Sequence, residues 1–275
     1  MHDRPALRYE CRRNSRRVAP AFRPAQCSQL FSRLRPDFMD VLAIIPAAGM
    51  GVRMGGETPK QFLSLEGVPI FIHTLRKFSA SDVIDEIRLA LRTEDMERAR
   101  RDIEREHFLK PVRLVAGGVT RQRTVSNALA EAPPTTKLVV VHDAVRPFIQ
   151  LDLIRQVVEA ARKHGAAILG ILSVDTVKQI ERQMILGTIP RERIVLAQTP
   201  QAFRYEIIRE AYARAESDGF NGTDESSLVE RLGNPVAVLM GSARNIKITS
   251  PSDLPLARLY IAQEREQAER AEIRP

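Results

Sequence analysis

Val41-Leu42-Ala43-Ile44-Ile45 runs into Pro46-Ala47-Ala48-Gly49-Met50-Gly51-Val52-Arg53-Met54, and the passage closes at Pro59-Lys60-Gln61. The first five residues are uniformly apolar and rich in β-branched side chains, as in a strand buried on both faces. Small residues follow. Ala47, Ala48, Gly49 and Gly51 place little side chain between the backbone N–H groups and an approaching phosphate. Arg53 and Lys60 then supply two cations. A strand, a bare loop and two cations together describe a cradle for a polyphosphate. Two common phosphate loops do not fit. The G-x-x-x-x-G-K-[ST] pattern is absent, and Met54 occupies the third position of a G-x-G-x-x-G.

Outward from this loop the chain alternates strand and helix. Ile84–Leu91, Val112–Val115, Leu138–Val141 and Ala166–Leu172 read as strands. Pro69–Ser79, Glu94–His107, Arg121–Glu131 and Leu151–His164 read as the helices between them. This rhythm predicts an α/β protein with a Rossmann-like, mostly parallel sheet and helices on both faces. Ligands then belong at the carboxyl ends of the strands, where the glycine loop and Asp143 fall.

Residues 173–190 break the rhythm. Val174–Ile180 alternates, Arg182-Gln183 reads as a turn, and Met184–Ile189 returns. This predicts a projecting β-hairpin, and an isolated hairpin is marginal in water, so it should pack on something. A second copy of the chain is the simplest answer, and packing on its own domain is the other. Further on, Ile194–Gln198 reads as a strand broken by Thr199-Pro200-Gln201, and Tyr205–Ser217 as a helix. Thr223-Asp224-Glu225 opens another helix, Val236–Met240 and Asn245–Thr249 read as strands, and a last helix spans Ser252–Gln263. Glu264–Pro275 is charged and expected to fray.

Composition narrows the function. The chain has 275 residues, 44% of them hydrophobic, which is enough for a substantial core. No apolar run approaches the length of a membrane span. The net charge is +8, but residues 1–38 hold nine arginines against Asp3, Glu10 and Asp37, which is +6 of it. The basic signal therefore belongs to a terminal segment and not to a nucleic-acid-binding face. Both cysteines, Cys11 and Cys27, lie there too, so the remainder has no thiol for a disulfide or a metal. Three readings of residues 1–38 stay open: a start placed upstream of Met39, a disordered basic tail, or a transit peptide. We expect the segment to be poorly ordered, with one folded domain over 39–263.

The motif Pro46-Ala47-Ala48-Gly49-x-Gly51-x-Arg53-Met54 with Pro59-Lys60-Gln61 resembles the signature of sugar and alditol nucleotidyltransferases. Its Pro-Lys-Gln ending is most similar to the 2-C-methyl-D-erythritol 4-phosphate cytidylyltransferase family. Further motifs in the same order extend the resemblance over roughly residues 41–263: Gly117-Gly118 to Thr124-Val125, His142-Asp143-Ala144-Val145-Arg146-Pro147, Thr199-Pro200-Gln201 and Thr223-Asp224-Glu225. It implies a nucleotide-diphospho-sugar transferase type of fold, the substrates CTP and 2-C-methyl-D-erythritol 4-phosphate, a required Mg²⁺, and a homodimer built on the arm at about 173–190. Arg53 and Lys60 resemble the pair that stabilises charge at the α-phosphate, as a guanidinium fork and an ammonium suit. Ala47, Ala48, Gly49 and Gly51 would bind the nucleotide, with Gly118, Arg121 and Thr124 around the base.

Asp143 is the implied metal ligand, since Mg²⁺ takes one or two carboxylates with phosphate oxygens and water. Arg146 would face substrate or pair with Asp143. Arg191 and Lys247 would hold the second substrate's phosphate, with Thr176, Thr199 and Thr223 contributing. Thr176 and Arg191 would act across a dimer. His142 is read as structural, because a phosphate nucleophile needs no general base. Two departures stand out: Val145 replaces the family's Ala, and Thr124 its Ser. The alternatives are a ribitol 5-phosphate cytidylyltransferase and a catalytically silent nucleotide-binding protein. A bacterial cytoplasmic location is expected, with plastid import left open by the N-terminal extension. Neither nucleic acid nor membrane is expected as a partner.

Overall fold

The protein's structure, a computed structural model, describes residues 40–50 and 58–273. The expectations for residues 1–38, and those for Gly51 and Arg53, lie outside the described residues.

Seven strands form the main sheet. In chain order they are β1 (Val41–Pro46), β4 (Glu86–Leu91), β5 (Val112–Ala116), β6 (Leu138–Val141), β7 (Ala166–Leu172), β10 (Val195–Arg204) and β11 (Ala237–Met240). Their spatial order is β11-β7-β10-β6-β1-β4-β5. β1 pairs in parallel with β4 and with β6. Only β10 runs against its neighbours β6 and β7. The chain thus leaves β1 first toward β4 and later returns on its other side at β6. That reversal opens a crevice at the carboxyl ends of β1 and β6.

The alternation along β1 explains the layers. Val41, Ala43 and Ile45 pack with Phe71, Leu75 and Phe78 of α1 (Ile70–Ala80) and Val157 of α4 (Leu151–His164). Leu42 and Ile44 face the other way, toward Val125 of α3 (Arg121–Ala130) and Ala211 of α5 (Tyr205–Ser217). A strand covered on both faces has no polar side to show, hence its unbroken apolar run. α2 (Met96–Glu104) adds Ala99 to the first face. α6 (Glu225–Arg231) adds Leu228 and Val229 to the second. A third cluster, Leu65, Ile70, Val145, Phe148, Ile248, Ala257 and Ile261, seats α7 (Asp253–Ile273).

The expected hairpin is β8 (Val177–Glu181) with β9 (Met184–Ile189), a separate two-stranded sheet. Glu181 pairs with Met184, which leaves the two-residue turn Arg182-Gln183, both at positive φ. A second small hairpin, β2 (Ser64–Leu65) with β3 (Val68–Pro69), turns at Glu66-Gly67.

Three expectations are corrected. The strand expected to stop at Gln198 runs on to Arg204 as β10, because Thr199-Pro200 sits in a register shift and pairing resumes at Gln201. Proline has no N–H to lose from the ladder at such a place. Asn245–Thr249 is irregular rather than a strand. The Asn245 side chain donates to Thr199 O at 2.8 Å and to Gln198 Oε1 at 3.2 Å, and Ile248 N donates to Val145 O at 2.9 Å, so this stretch is bonded to loops and not to a strand. The last helix begins at Asp253 rather than Ser252, the Asp253 carboxylate accepting the N–H groups of Thr249 and Ser250, and it runs to Ile273 rather than stopping at Gln263. Lys77 on α1 holds Glu264 at 2.9 Å and fastens that extension.

Candidate active site

The sheet's hydrogen bonding continues past the strands and gathers three loops on one rim. Ala47 N donates to Ala90 O at 2.7 Å, Gly117 N to Leu91 O at 2.6 Å, and His142 N to Ile44 O at 3.0 Å. These bonds bring the ends of β1, β4, β5 and β6 together. A cavity of about 150 Å³ opens between them. Ala47, Ala48, Gly49, Lys60, Gly118, Arg121, Thr124, Asp143 and Lys247 line it, with Gln61 and Val145.

Close packing dictates the small residues. A Cβ at Gly117 would stand 2.6 Å from Ala48 Cβ and 3.1 Å from Leu91 O, so only glycine lets the two loops approach. Among the described residues a Cβ at Gly49 would meet nothing within 4 Å, which leaves its backbone open on that side. Gln61 is buried and its amide donates to Ala47 O at 2.5 Å. That bond ties the short helix carrying Lys60 to the glycine loop. Thr120 caps α3 by accepting from Arg123 N at 3.0 Å, which starts the helix that places Arg121.

Asp143 is the hub. It lies two residues beyond the end of β6, buried, with Lys247 Nζ 2.9 Å and Arg146 Nε 3.3 Å from Oδ2, and Arg121 Nη2 3.4 Å from Oδ1. Burial alone would raise its pKa. The charges of Arg121, Lys247 and Arg146 outweigh burial and hold the carboxyl well below the usual carboxylate range. Arg146 also donates to Asn245 O at 2.7 Å, so the hub reaches into the segment that carries Lys247. Desolvation lowers the Arg146 pKa, and Asp143 only partly offsets that.

His142 and Thr199 support the hub from behind. Asp143 N donates to Thr199 Oγ1 at 3.1 Å, and that hydroxyl lies 3.1 Å from His142 Nδ1. His142 is fully buried against Phe78, with ring centroids 4.9 Å apart, and burial pushes its pKa down to about 4. It stays neutral at ordinary pH.

The structure separates other candidates from the cavity. Thr199 is buried behind Asp143 and does not line it. Thr124 does line the cavity, yet its hydroxyl is buried and serves the loop itself. It donates to Thr120 O at 2.8 Å and accepts from Gly118 N at 3.0 Å. Thr223 is exposed just before α6 and is not its cap; Asp224 is, accepting from Ser227 N at 3.0 Å. Thr176 and Arg191 lie at the two roots of the hairpin, where Arg191 donates to Val174 O at 2.8 Å, and neither lines the cavity. Arg146 borders it through Asp143.

Residue patterns alone missed two groups. Gln61 was visible only as the last letter of Pro-Lys-Gln. Glu225 was visible as a helix-opening acid, yet it is buried and takes Arg121 in a two-point ion pair at 2.7 and 3.0 Å. An acid one place after an N-cap already supplied by Asp224 was the available signal. Burial costs the Arg121 guanidinium some basicity, and Glu225 with Asp143 more than restores it, which raises its pKa.

A divalent cation would find one carboxylate at the cavity, Asp143. Among the described residues no three His, Cys, Asp or Glu side chains cluster as a metal cage. That set suits Mg²⁺ arriving with a polyphosphate, which supplies the other oxygens, better than a metal held by protein alone.

An α/β sheet with a bare loop, a lysine and a four-charge cluster at its switch point defines a protein that binds and transfers nucleotides. Comparisons with known proteins specify which. A profile of the 2-C-methyl-D-erythritol 4-phosphate cytidylyltransferase family matches residues 41–263. The enzyme of that name from Acidobacterium capsulatum is 52% identical over 235 residues, covering 82% of this chain and 98% of the relative. The one from Solibacter usitatus is 50% identical over 237 residues, covering 82% and 97%. Among solved structures, 4-diphosphocytidyl-2C-methyl-D-erythritol synthase from Anaerococcus prevotii superposes with a TM-score of 0.73 at 34% identity, covering 81% of this chain and 96% of that one. The Thermus thermophilus cytidylyltransferase gives 0.66 at 36% identity, covering 81% and 98%. The chain belongs to the 2-C-methyl-D-erythritol 4-phosphate cytidylyltransferase family.

Proposed function

We infer that the chain joins CTP to 2-C-methyl-D-erythritol 4-phosphate and releases pyrophosphate. An oxygen of the substrate phosphate attacks the α-phosphorus of CTP, a new O–P bond forms, and the bond to the β-phosphate oxygen breaks in line. Such a transfer asks the protein for position and charge rather than covalent help. The observation that carries this reading is the Asp143–Arg121–Arg146–Lys247 cluster at the mouth of a bare loop on the sheet's switch point.

In this reading Ala47, Ala48, Gly49 and Gly51 admit the phosphates, and Arg53 and Lys60 neutralise charge that builds at the α-phosphate. Gly118 and Arg121 frame the base. Asp143 would hold Mg²⁺ together with phosphate oxygens, and that ion supplies further neutralisation of the triphosphate. Lys247 and Arg191 hold the second phosphate, with Thr176 alongside. Arg191 and Thr176 sit on an arm outside the cavity, so they reach a site across a homodimer. The arm's exposed apolar residues support that assembly: Ile180, Met184 and Ile185 are 65, 71 and 63% exposed. Among the described residues no helix is long and apolar enough to cross a membrane. The bacterial relatives favour a cytoplasmic site of action.

The test is pyrophosphate release from CTP and Mg²⁺, with methylerythritol phosphate and ribitol 5-phosphate offered in parallel. Turnover with the first is expected. Turnover with ribitol phosphate alone overturns the substrate assignment, and silence with both in folded protein supports a nucleotide-binding role without transfer.

A further inference from the structure

Glu225 is 1% exposed, yet both its oxygens face a cation at the rim of the nucleotide cavity. Its carboxylate accepts from Arg121 Nη1 at 2.7 Å and Nη2 at 3.0 Å, and Oε1 also accepts from the Tyr212 hydroxyl at 3.0 Å. Tyr212 is itself buried on α5, and burial together with Glu225 keeps its phenol protonated as a donor. Arg121 meets Asp143 only at Oδ1, where Nε and Nη2 both stand at 3.4 Å. The guanidinium is therefore clamped by one carboxylate and only brushes the other.

The asymmetry has a chemical consequence. A planar fork of donors suits a carboxylate at two points, so an unclamped Arg121 would close on Asp143 in the same way. Asp143 would then lose the oxygen that now faces Arg121 loosely, and Lys247 would have to compete for the other. α6 fixes Glu225 against this. Its first turn is tied to β10 through Ser226 N to Gln201 Oε1 at 3.0 Å and through Gln201 Nε2 to Asp224 Oδ2 at 2.8 Å.

We propose that Glu225 is a positioning residue for nucleotide binding: it holds the Arg121 fork against the cavity and away from Asp143, and Tyr212 fixes Glu225 in turn. The proposal rests on the reading above that the cavity takes CTP. It differs from a plain helix-to-helix anchor, because an anchor would matter equally whether or not Arg121 is present.

The experiment is calorimetric titration of the whole chain with CTP and Mg²⁺, for the unchanged protein, Glu225→Gln, Arg121→Ala and the double variant, with a thermal melt of each. Glu225→Gln keeps the shape and removes the charge, and we expect it to weaken CTP binding by about tenfold or more. In the Arg121→Ala background the same change should cost less than about twofold, since the group it positions is gone. Equal losses in both backgrounds, or none in either, overturn the proposal. Should Glu225→Gln fail to fold, Tyr212→Phe removes one support and is expected to weaken CTP binding about threefold, and an unchanged affinity there is equally decisive against it. No CTP binding by the unchanged protein would overturn the functional reading and this proposal with it. Binding that Glu225→Gln leaves intact would overturn this proposal alone.

Discussion

The cluster around Asp143 and the β8–β9 arm both leave the same rim of the sheet, and they are built in opposite ways. At Asp143 nearly every polar group already has a partner within the chain: three cations face one carboxylate, Thr199 and His142 brace it, and Glu225 clamps Arg121. On the arm the ladder is closed by its own hydrogen bonds, but Ile180, Met184, Ile185 and Leu186 all stay largely exposed. The described groups of one region are paired within the chain, and the apolar side chains of the other stay exposed. In the proposed homodimer, a site assembled from both would have its charge set by the chain's own core and its reach set by the surface the arm meets.

The largest effect expected is at the hub. Asp143→Asn leaves Arg121, Arg146 and Lys247 facing an uncharged amide, and turnover should fall about a thousandfold, a loss of the size seen when preorganised charge is removed from a transfer site. Pyrophosphate release, read beside sedimentation, checks it: a fall in turnover without a change in oligomeric state keeps the two regions distinct. Next is the pH dependence of folding. His142 has a pKa of about 4 in the folded chain against 6.5 as the ordinary value. Between those values the unfolded chain binds more protons than the folded one, so stability rises with pH through this window and is lost as pH falls through it. The expected size is on the order of 3 kcal/mol. Denaturant melts from pH 4 to 7 should show the slope, and His142→Gln should flatten it.

Charges on the arm come third. Ile185→Asp with Leu186→Asp should turn a dimer into a monomer by sedimentation and lower turnover about tenfold or more, because Arg191 and Thr176 then lack a partner site. A monomer with full turnover would show that the cavity in one chain is sufficient. A mixture of Asp143→Asn and Arg191→Ala proteins should regain activity that neither has alone. The smallest effect is at the arm's tip. Arg182 and Gln183 have φ of 46° and 68°, so Arg182→Asn with Gln183→Gly suits the two-residue turn and should raise stability by about 0.5 kcal/mol. A melt resolves it, and no change in turnover is expected.

Sequence showed most of the sheet because buried strands have one requirement, an unbroken apolar run, and Val41–Ile45, Leu138–Val141 and Ala166–Leu172 meet it plainly. The arm was visible through its alternation. β10 was cut short because proline reads as a stop, whereas the Thr199-Pro200 register shift absorbs it. The Asn245–Thr249 error has another cause. Ile248 is buried as a strand residue would be, but its backbone N–H bonds to Val145 and the side chain of Asn245 to Thr199. In the site, glycines and cations were legible by type and spacing. Glu225, Gln61 and the buried service of Thr124 to its own loop were not, since each depends on which groups tertiary folding sets opposite one another.

β10 is the one strand of the sheet that runs backward against its neighbours, and it has a consequence for how such a chain can change over time. Because β6 and β7 both pair antiparallel with it, β7 runs in the same sense as β1 and ends at the rim where the cavity opens. The arm is spliced between the end of β7 and the start of β10, so it hangs from that rim without interrupting any ladder. Lengthening, trimming or exchanging the splice would leave the seven-stranded frame and the nucleotide cradle untouched. If the arm serves the second substrate and the homodimer as proposed, such a change would alter both the molecule that meets the activated nucleotide and the copy that docks alongside. A lineage could therefore try new acceptors and new assemblies at one junction, with the inherited framework held constant.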